Sequence, residues 1–112
     1  MVKETFAYKF RSNLTVEQMF GRLNELGGWE WYERDNDTWG NYISASPVSS
    51  ARHAQVKILV DPTDSRVFAV NVRFESDAPN GKAQFDELRR TLFASVLPAI
   101  AAQGLTETDT YE

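Results

Sequence analysis

Apolar residues recur at alternate positions near the start of the chain: Val2, Phe6, Tyr8 and Phe10 fall on one side, Lys3, Thr5, Ala7 and Lys9 on the other. A two-residue period predicts a half-buried strand, and only Glu4 breaks its inward set. The period then lengthens. Thr15 can cap a helix, Gln18 three positions on can complete a capping box, and Leu14 can staple onto Met19. Val16, Met19, Phe20, Leu23 and Leu26 supply the helical stripe, and Gly27-Gly28 predicts its end.

From Trp29 to Ser46 the pattern is that of a β-hairpin turning at Asp35-Asn36-Asp37. An odd loop centred on Asn36 pairs Trp29 with Ile43 and gathers Trp29, Trp31, Trp39 and Ile43 on one face. An even loop mixes polarity on both faces, so the odd loop is preferred, because a buried face sets register. Tyr32 and Tyr42 then share the opposite face, with Tyr32 beside Gly40. Ser44 to His53 holds Pro47, four serines and Arg52 without an apolar period, and reads as a loop.

Val56, Ile58 and Val60 next alternate with Lys57, Leu59 and Asp61, and Asp61-Pro62-Thr63-Asp64 makes a turn. The clearest strand follows, with Phe68, Val70, Val72 and Phe74 inward and Ala69, Asn71, Arg73 and Glu75 outward. A second helix is predicted from about Lys82, its stripe formed by Phe85, Leu88, Leu92, Phe93, Val96, Leu97 and Ile100. Pro98 should kink or break it by removing the amide donor to the Ala94 carbonyl. Gly104 is expected to end it, leaving Leu105 to Glu112 as a short edge strand or an acidic tail.

The order β-α-β-β-β-β-α, with room for a final β, predicts an α+β two-layer sandwich. Its largely antiparallel sheet has four to six strands, with two helices on one face. The other sheet face stays open. Strand order is not encoded in the pattern.

Composition narrows this picture. A chain of 112 residues, 42% hydrophobic and 25% charged, suits one domain with one core (residues 1–112) rather than two. With no cysteine there is no disulfide framework, thiolate nucleophile or thiolate zinc site. The first residues carry no leader pattern and no window has the apolar length of a membrane span, so the expectation is a cytoplasmic protein with no membrane partner. A net charge of −4 with scattered basic residues argues against a nucleic-acid partner. The densest basic pair, Arg89-Arg90, reads as the solvated side of the second helix.

Candidate chemistry is sparse. His53, the single histidine, stands near Ser49 and Ser50, but no nucleophile elbow surrounds it, and an exposed loop residue explains it as well. Asp35, Asp37, Asp61 and Asp64 are accounted for as turn residues and do not follow a calcium-loop pattern. Gly27-Gly28 follows a helix, so it is a helix stop and no phosphate cradle. No cofactor or metal is called for. The tryptophans Trp29, Trp31 and Trp39 read as core.

What remains is the open sheet face, where Tyr32 and Tyr42 would join Lys57, Leu59, Asn71 and Arg73 in a mixture suited to a protein interface. The leading expectation is therefore a non-enzymatic protein-binding or adaptor module, or a self-associating one, using Tyr32, Tyr42, Lys57 and Arg73. The alternative is a small-molecule site, with or without catalysis, near the Trp-rich hairpin and the Ser46 to His53 loop, built on Trp39, Arg52 and His53. A third reading is an acidic inhibitor or immunity-type protein whose Glu33 to Asp37 turn and Glu107 to Glu112 tail would steer a basic partner.

Overall fold

In a computed structural model, which describes residues 2–26, 29–36, 40–47, 53–61 and 64–108, six strands form one antiparallel sheet under two helices. The strands are β1 (Val2–Arg11), β2 (Trp29–Asn36), β3 (Gly40–Pro47), β4 (His53–Asp61), β5 (Asp64–Ser76) and β6 (Gln103–Thr108). Helix α1 spans Val16–Leu23, and α2 spans Gly81–Thr91 before continuing through a π-helical stretch, Leu92–Val96, into a last turn, Leu97–Ala99. The spatial order is β2-β3-β4-β5-β1-β6, so β1 is inserted between β5 and β6 and the edges are β2 and β6.

Register follows the alternation of apolar residues. Phe10 faces Phe68, Tyr8 faces Val70 and Phe6 faces Val72 across β1 and β5. Across β4 and β5, Val56, Ile58 and Val60 face Val72, Val70 and Phe68. Side chains in a strand alternate between faces, so these pairings stack one apolar row on another along a single inner face. Met19 and Leu23 of α1 pack on that face with Phe85, Leu88, Leu92, Val96, Leu97 and Ile100 from α2 and its continuation. One core results, with helices on one side of the sheet only.

The helix ends show how local chemistry sets element length. The Thr15 hydroxyl accepts from the Gln18 amide (3.2 Å), and the Gln18 side chain accepts from the Thr15 amide (2.9 Å), closing the predicted capping box. The helix stops at Leu23, earlier than Gly27-Gly28, because the Glu25 and Leu26 amides bond three residues back and tighten the turn. At the start of α2, Gly81 lies so close to β1 that a Cβ there would approach the Val2 Cγ2 to 3.0 Å.

Pro98 does perturb its helix, but upstream. The Leu97 amide bonds to the Leu92 carbonyl five residues back, so the helix widens by one residue before the proline. Termination falls at Ala101 and not at Gly104. Ala101 has φ 53°, its amide donates to the Pro98 carbonyl (3.1 Å), and the Ala102 amide donates to Leu97 (3.1 Å), which is a Schellman stop with alanine in the left-handed position. Gly104, with φ 64°, instead serves β6, near the register shift of its pairing with β1.

Two other expectations are corrected. The β2–β3 hairpin pairs Trp29 with Pro47, Glu33 with Ile43 and Asn36 with Gly40, so its centre lies two residues beyond Asn36. The odd parity is as expected, which keeps Trp29, Trp31 and Ile43 on the inner face, but Tyr32 faces Ser44 and not Gly40. The longer hairpin extends β3 to Pro47, and β4 begins at His53, so the segment from Ser44 to His53 is strand at both ends.

Arg89 is the second. It does not lie on the solvated side of α2 but is half-buried, its Cζ 4.9 Å from the Phe6 ring centroid, 5.2 Å from Phe93 and 5.9 Å from Tyr8. Its Nη2 donates to the Tyr8 hydroxyl (2.9 Å). Arg89 follows Phe85 by four residues and precedes Phe93 by four, so it occupies the flank of the apolar stripe and pins α2 to β1 through cation–π contact. Arg90 is the exposed member of the pair and bonds to Glu87.

Candidate binding face of the sheet

The outer face is the surface that no helix covers. Paired residues define one row across all six strands: Tyr32, Ser44, Lys57, Asn71, Ala7 and Thr108. At the usual strand spacing the row is about 24 Å wide. Tyr42 and Leu59 lie two residues away from Ser44 and Lys57 along β3 and β4, and Arg73 two residues beyond Asn71 on β5, diagonal to Lys57. Tyr32, Tyr42, Lys57 and Arg73 thus occupy the same face.

Their local geometry is aromatic and cationic together. The Lys57 Nζ sits 6.0 Å from the Tyr42 ring centroid, and the Arg34 Cζ sits 5.3 Å from that of Tyr32. Among the described residues, Tyr32, at 48% exposure, is one of the two large hydrophobic side chains most open to solvent, and its hydroxyl donates to Glu30 (3.1 Å). That hydrogen bond, with the nearby carboxylate charge, holds the Tyr32 phenol above its ordinary pKa. Arg34 was not singled out by sequence, although its i+2 spacing from Tyr32 within a strand places both on one face.

The face also contains burial that alternation alone does not predict. Ala7, Leu59 and Ala69 point outward by register, yet they are 0%, 2% and 2% exposed. Ala69 lies between Lys9 and Leu59, and the Lys9 ammonium reaches Asp61 (3.7 Å) beside them. Long polar-headed side chains thus stand beside buried apolar ones on this face, an arrangement in which their stems can exclude water.

Charge is distributed unequally between the faces. Lys3, Lys9, Arg11, Arg34, Lys57 and Arg73 are on the outer face by register, against Glu30, Asp61 and Glu75. The local excess is three positive charges in a chain of net −4, so everything outside this face sums to −7. Lys3 pairs with Glu75 (3.4 Å). The excess was readable once charges were assigned to faces, but the net figure conceals it.

The remaining candidates fall elsewhere. Trp39 and Arg52 lie outside the described residues, as do Asp37, Ser49 and Ser50. His53 opens β4 opposite Glu75, whereas Gly40 lies at the other end of the β3–β4 pair, on the order of 25 Å away by strand rise. Asp64 accepts from the Arg66 amide (2.9 Å), as a turn aspartate does. No helix of the structure is long and apolar enough to cross a membrane. The chain matches no known protein-family model and no curated protein.

Proposed function

We propose that this protein is a non-enzymatic binding module whose open sheet face receives an acidic segment of a partner protein. The observation that carries the reading is the concentration of Arg34, Lys57 and Arg73 beside Tyr32 and Tyr42 on a helix-free face of an otherwise acidic chain. Arginine and tyrosine are enriched among residues that dominate interface energies, and charge complementarity raises association rates.

Charge also argues against two other occupants. A symmetric dimer through this face would set one basic surface against another, which like-charge repulsion disfavours. A nucleic-acid strand needs open ring faces for stacking, whereas each tyrosine ring here already has a cation beside it.

The test is fluorescence anisotropy with labelled peptides of alternating glutamate and leucine, at about 50 mM potassium chloride and again at several times that concentration, where screening is stronger. Saturable binding that weakens with salt is expected, and Lys57→Glu with Arg73→Glu should weaken it by about tenfold or more. Tyr42→Ala should weaken it as well. The reading fails if the peptides do not bind, if the charge-reversed double variant binds unchanged, or if a single-stranded oligonucleotide binds more tightly than the peptides.

A further inference from the structure

A concavity of about 710 Å³ opens where the end of β1 meets the start of α1 and the beginning of β5, away from Tyr32 and Tyr42. Its volume falls within the roughly 300–1,000 Å³ typical of small-molecule sites. Among the described residues, Arg11 and Arg66 are the only charged ones that line it and no carboxylate does, although acids outnumber bases 16 to 12 in the chain.

Backbone pairing brings the two positions to the same end of the sheet, Arg11 in the outward alternation of β1 and Arg66 in the inward alternation of Phe68. Arg11 faces Val67, and the next amide, that of Ser12, donates to the Arg66 carbonyl (3.2 Å). Among the described residues neither guanidinium has an ion-pair partner, while Lys3, Lys9, Lys82 and Arg90 each have one. An anion entering the concavity meets two lining guanidiniums and, among the described lining residues, no carboxylate, and a guanidinium can donate to a carboxylate in bidentate fashion. The first turn of α1 is already capped by Thr15 and is not needed for this argument.

The floor has the opposite character. Leu14, Val60 and Phe68 line it, so an anion alone would leave apolar surface uncovered. We propose that this concavity binds a small organic anion, a carboxylate on an apolar body, with the carboxylate at Arg11 and Arg66 and the body on Leu14, Val60 and Phe68. This site uses none of Arg34, Lys57, Arg73, Tyr32 or Tyr42, on which the acidic-partner reading rests, and shares with that face only the charge of Arg11.

The experiment is a heteronuclear NMR titration of the full chain with 4-phenylbutyrate, its neutral amide, and inorganic sulfate. Phenylbutyrate should give saturable shifts at the amides of Arg11, Ser12, Leu14 and Arg66. The amide, which lacks the charge, and sulfate, which lacks the body, should each bind at least about fivefold more weakly. Arg66→Gln alone should weaken phenylbutyrate several-fold, and Arg11→Gln with Arg66→Gln should abolish saturation. Both side chains are exposed, so the variants are expected to fold, and their melting curves check this. Absence of saturable shifts, equal binding of the amide or of sulfate, or unchanged binding by the double variant would each overturn the proposal. Retained acidic-peptide binding by Arg66→Gln keeps this outcome separate from that of the sheet face.

Discussion

Phe74, Val72 and Val70 on the inner face of the sheet are sealed from water beneath two helices, whereas Ala7, Leu59 and Ala69 on the outer face are excluded almost as fully with no helix or strand among the described residues layered over them. The inner face is closed by a dedicated layer whose apolar stripes interlock with it. On the outer face the register neighbours of these residues include long polar-headed side chains, Lys9 beside Ala69 with its ammonium at Asp61 and Lys57 with its ammonium by the Tyr42 ring, of the kind that can cover apolar surface with their stems. Lifting a helix would unfold the domain, but moving a lysine stem would only uncover a small apolar strip. Equal burial on two sides of one sheet therefore carries different meanings: stability on one side, and on the other a surface that a partner can rearrange.

Truncation at matched positions would break this distinction if it is wrong. Phe74→Ala removes a fully buried ring that packs against Phe85 (5.4 Å between centroids), and a loss of about 3–5 kcal/mol is expected. Against the typical domain stability of about 5–15 kcal/mol, that is a large share. Leu59→Ala should cost about 2 kcal/mol, at the low end for buried leucine, because flexible stems can settle into the gap. Urea unfolding of both variants decides the matter. A loss for Leu59→Ala as large as that for Phe74→Ala would make the outer face a second rigid core.

A smaller effect, of opposite sign, is expected where the helix layer hands over to β6. Ala101 holds the left-handed conformation that ends the helix, although its Cβ is unfavourable there. Ala101→Gly should stabilise the protein by about 1 kcal/mol, read as a rise in Tm of roughly 4 °C. Gly104→Ala should lower Tm by a similar amount, because Gly104 also has positive φ while its surroundings are open. An unchanged Tm for Ala101→Gly would mean that the Schellman stop does not limit stability.

These positions also mark where sequence reasoning succeeds and where it runs out. Strand and helix identity were legible because Phe68 to Phe74 and Val16 to Leu23 each obey a single period, and the Thr15 capping box has local chemistry of its own. The hairpin was legible in parity only. Burial of Trp29, Trp31 and Ile43 demands an odd loop, but moving the centre by two residues keeps every side chain on its face, so alternation does not penalise it. The helix stop was assigned to Gly104 because glycine is the usual left-handed residue, whereas hydrogen bonds to Leu97 and Pro98 hold Ala101 there. Of the candidate face, Tyr32, Tyr42, Lys57 and Arg73 could be placed by alternation. The concavity at Arg11 and Arg66 could not, since it depends on β1 being inserted beside β5, a matter of strand order.

The smallest expected effect tests whether the outer face is ordered before any partner arrives. The Tyr32 phenol donates to Glu30, and both that bond and the carboxylate's charge oppose ionisation, while Arg34 over the ring acts in the other direction more weakly. A raised pKa in the folded state means that any stabilisation from this contact is complete below the unfolded phenol's value near 10 and is lost as pH rises through the folded value. Near-ultraviolet titration, with Tyr32→Phe to assign the signal, should therefore show Tyr32 ionising above that ordinary value, and Glu30→Gln should bring it back down. A Tyr32 that titrates normally in the unaltered protein would mean that the contact does not persist in solution. The tyrosine would then be ordered only on binding, at an entropic cost charged to the affinity, and the pre-formed aromatic and cationic face would reduce to Tyr42 and Lys57.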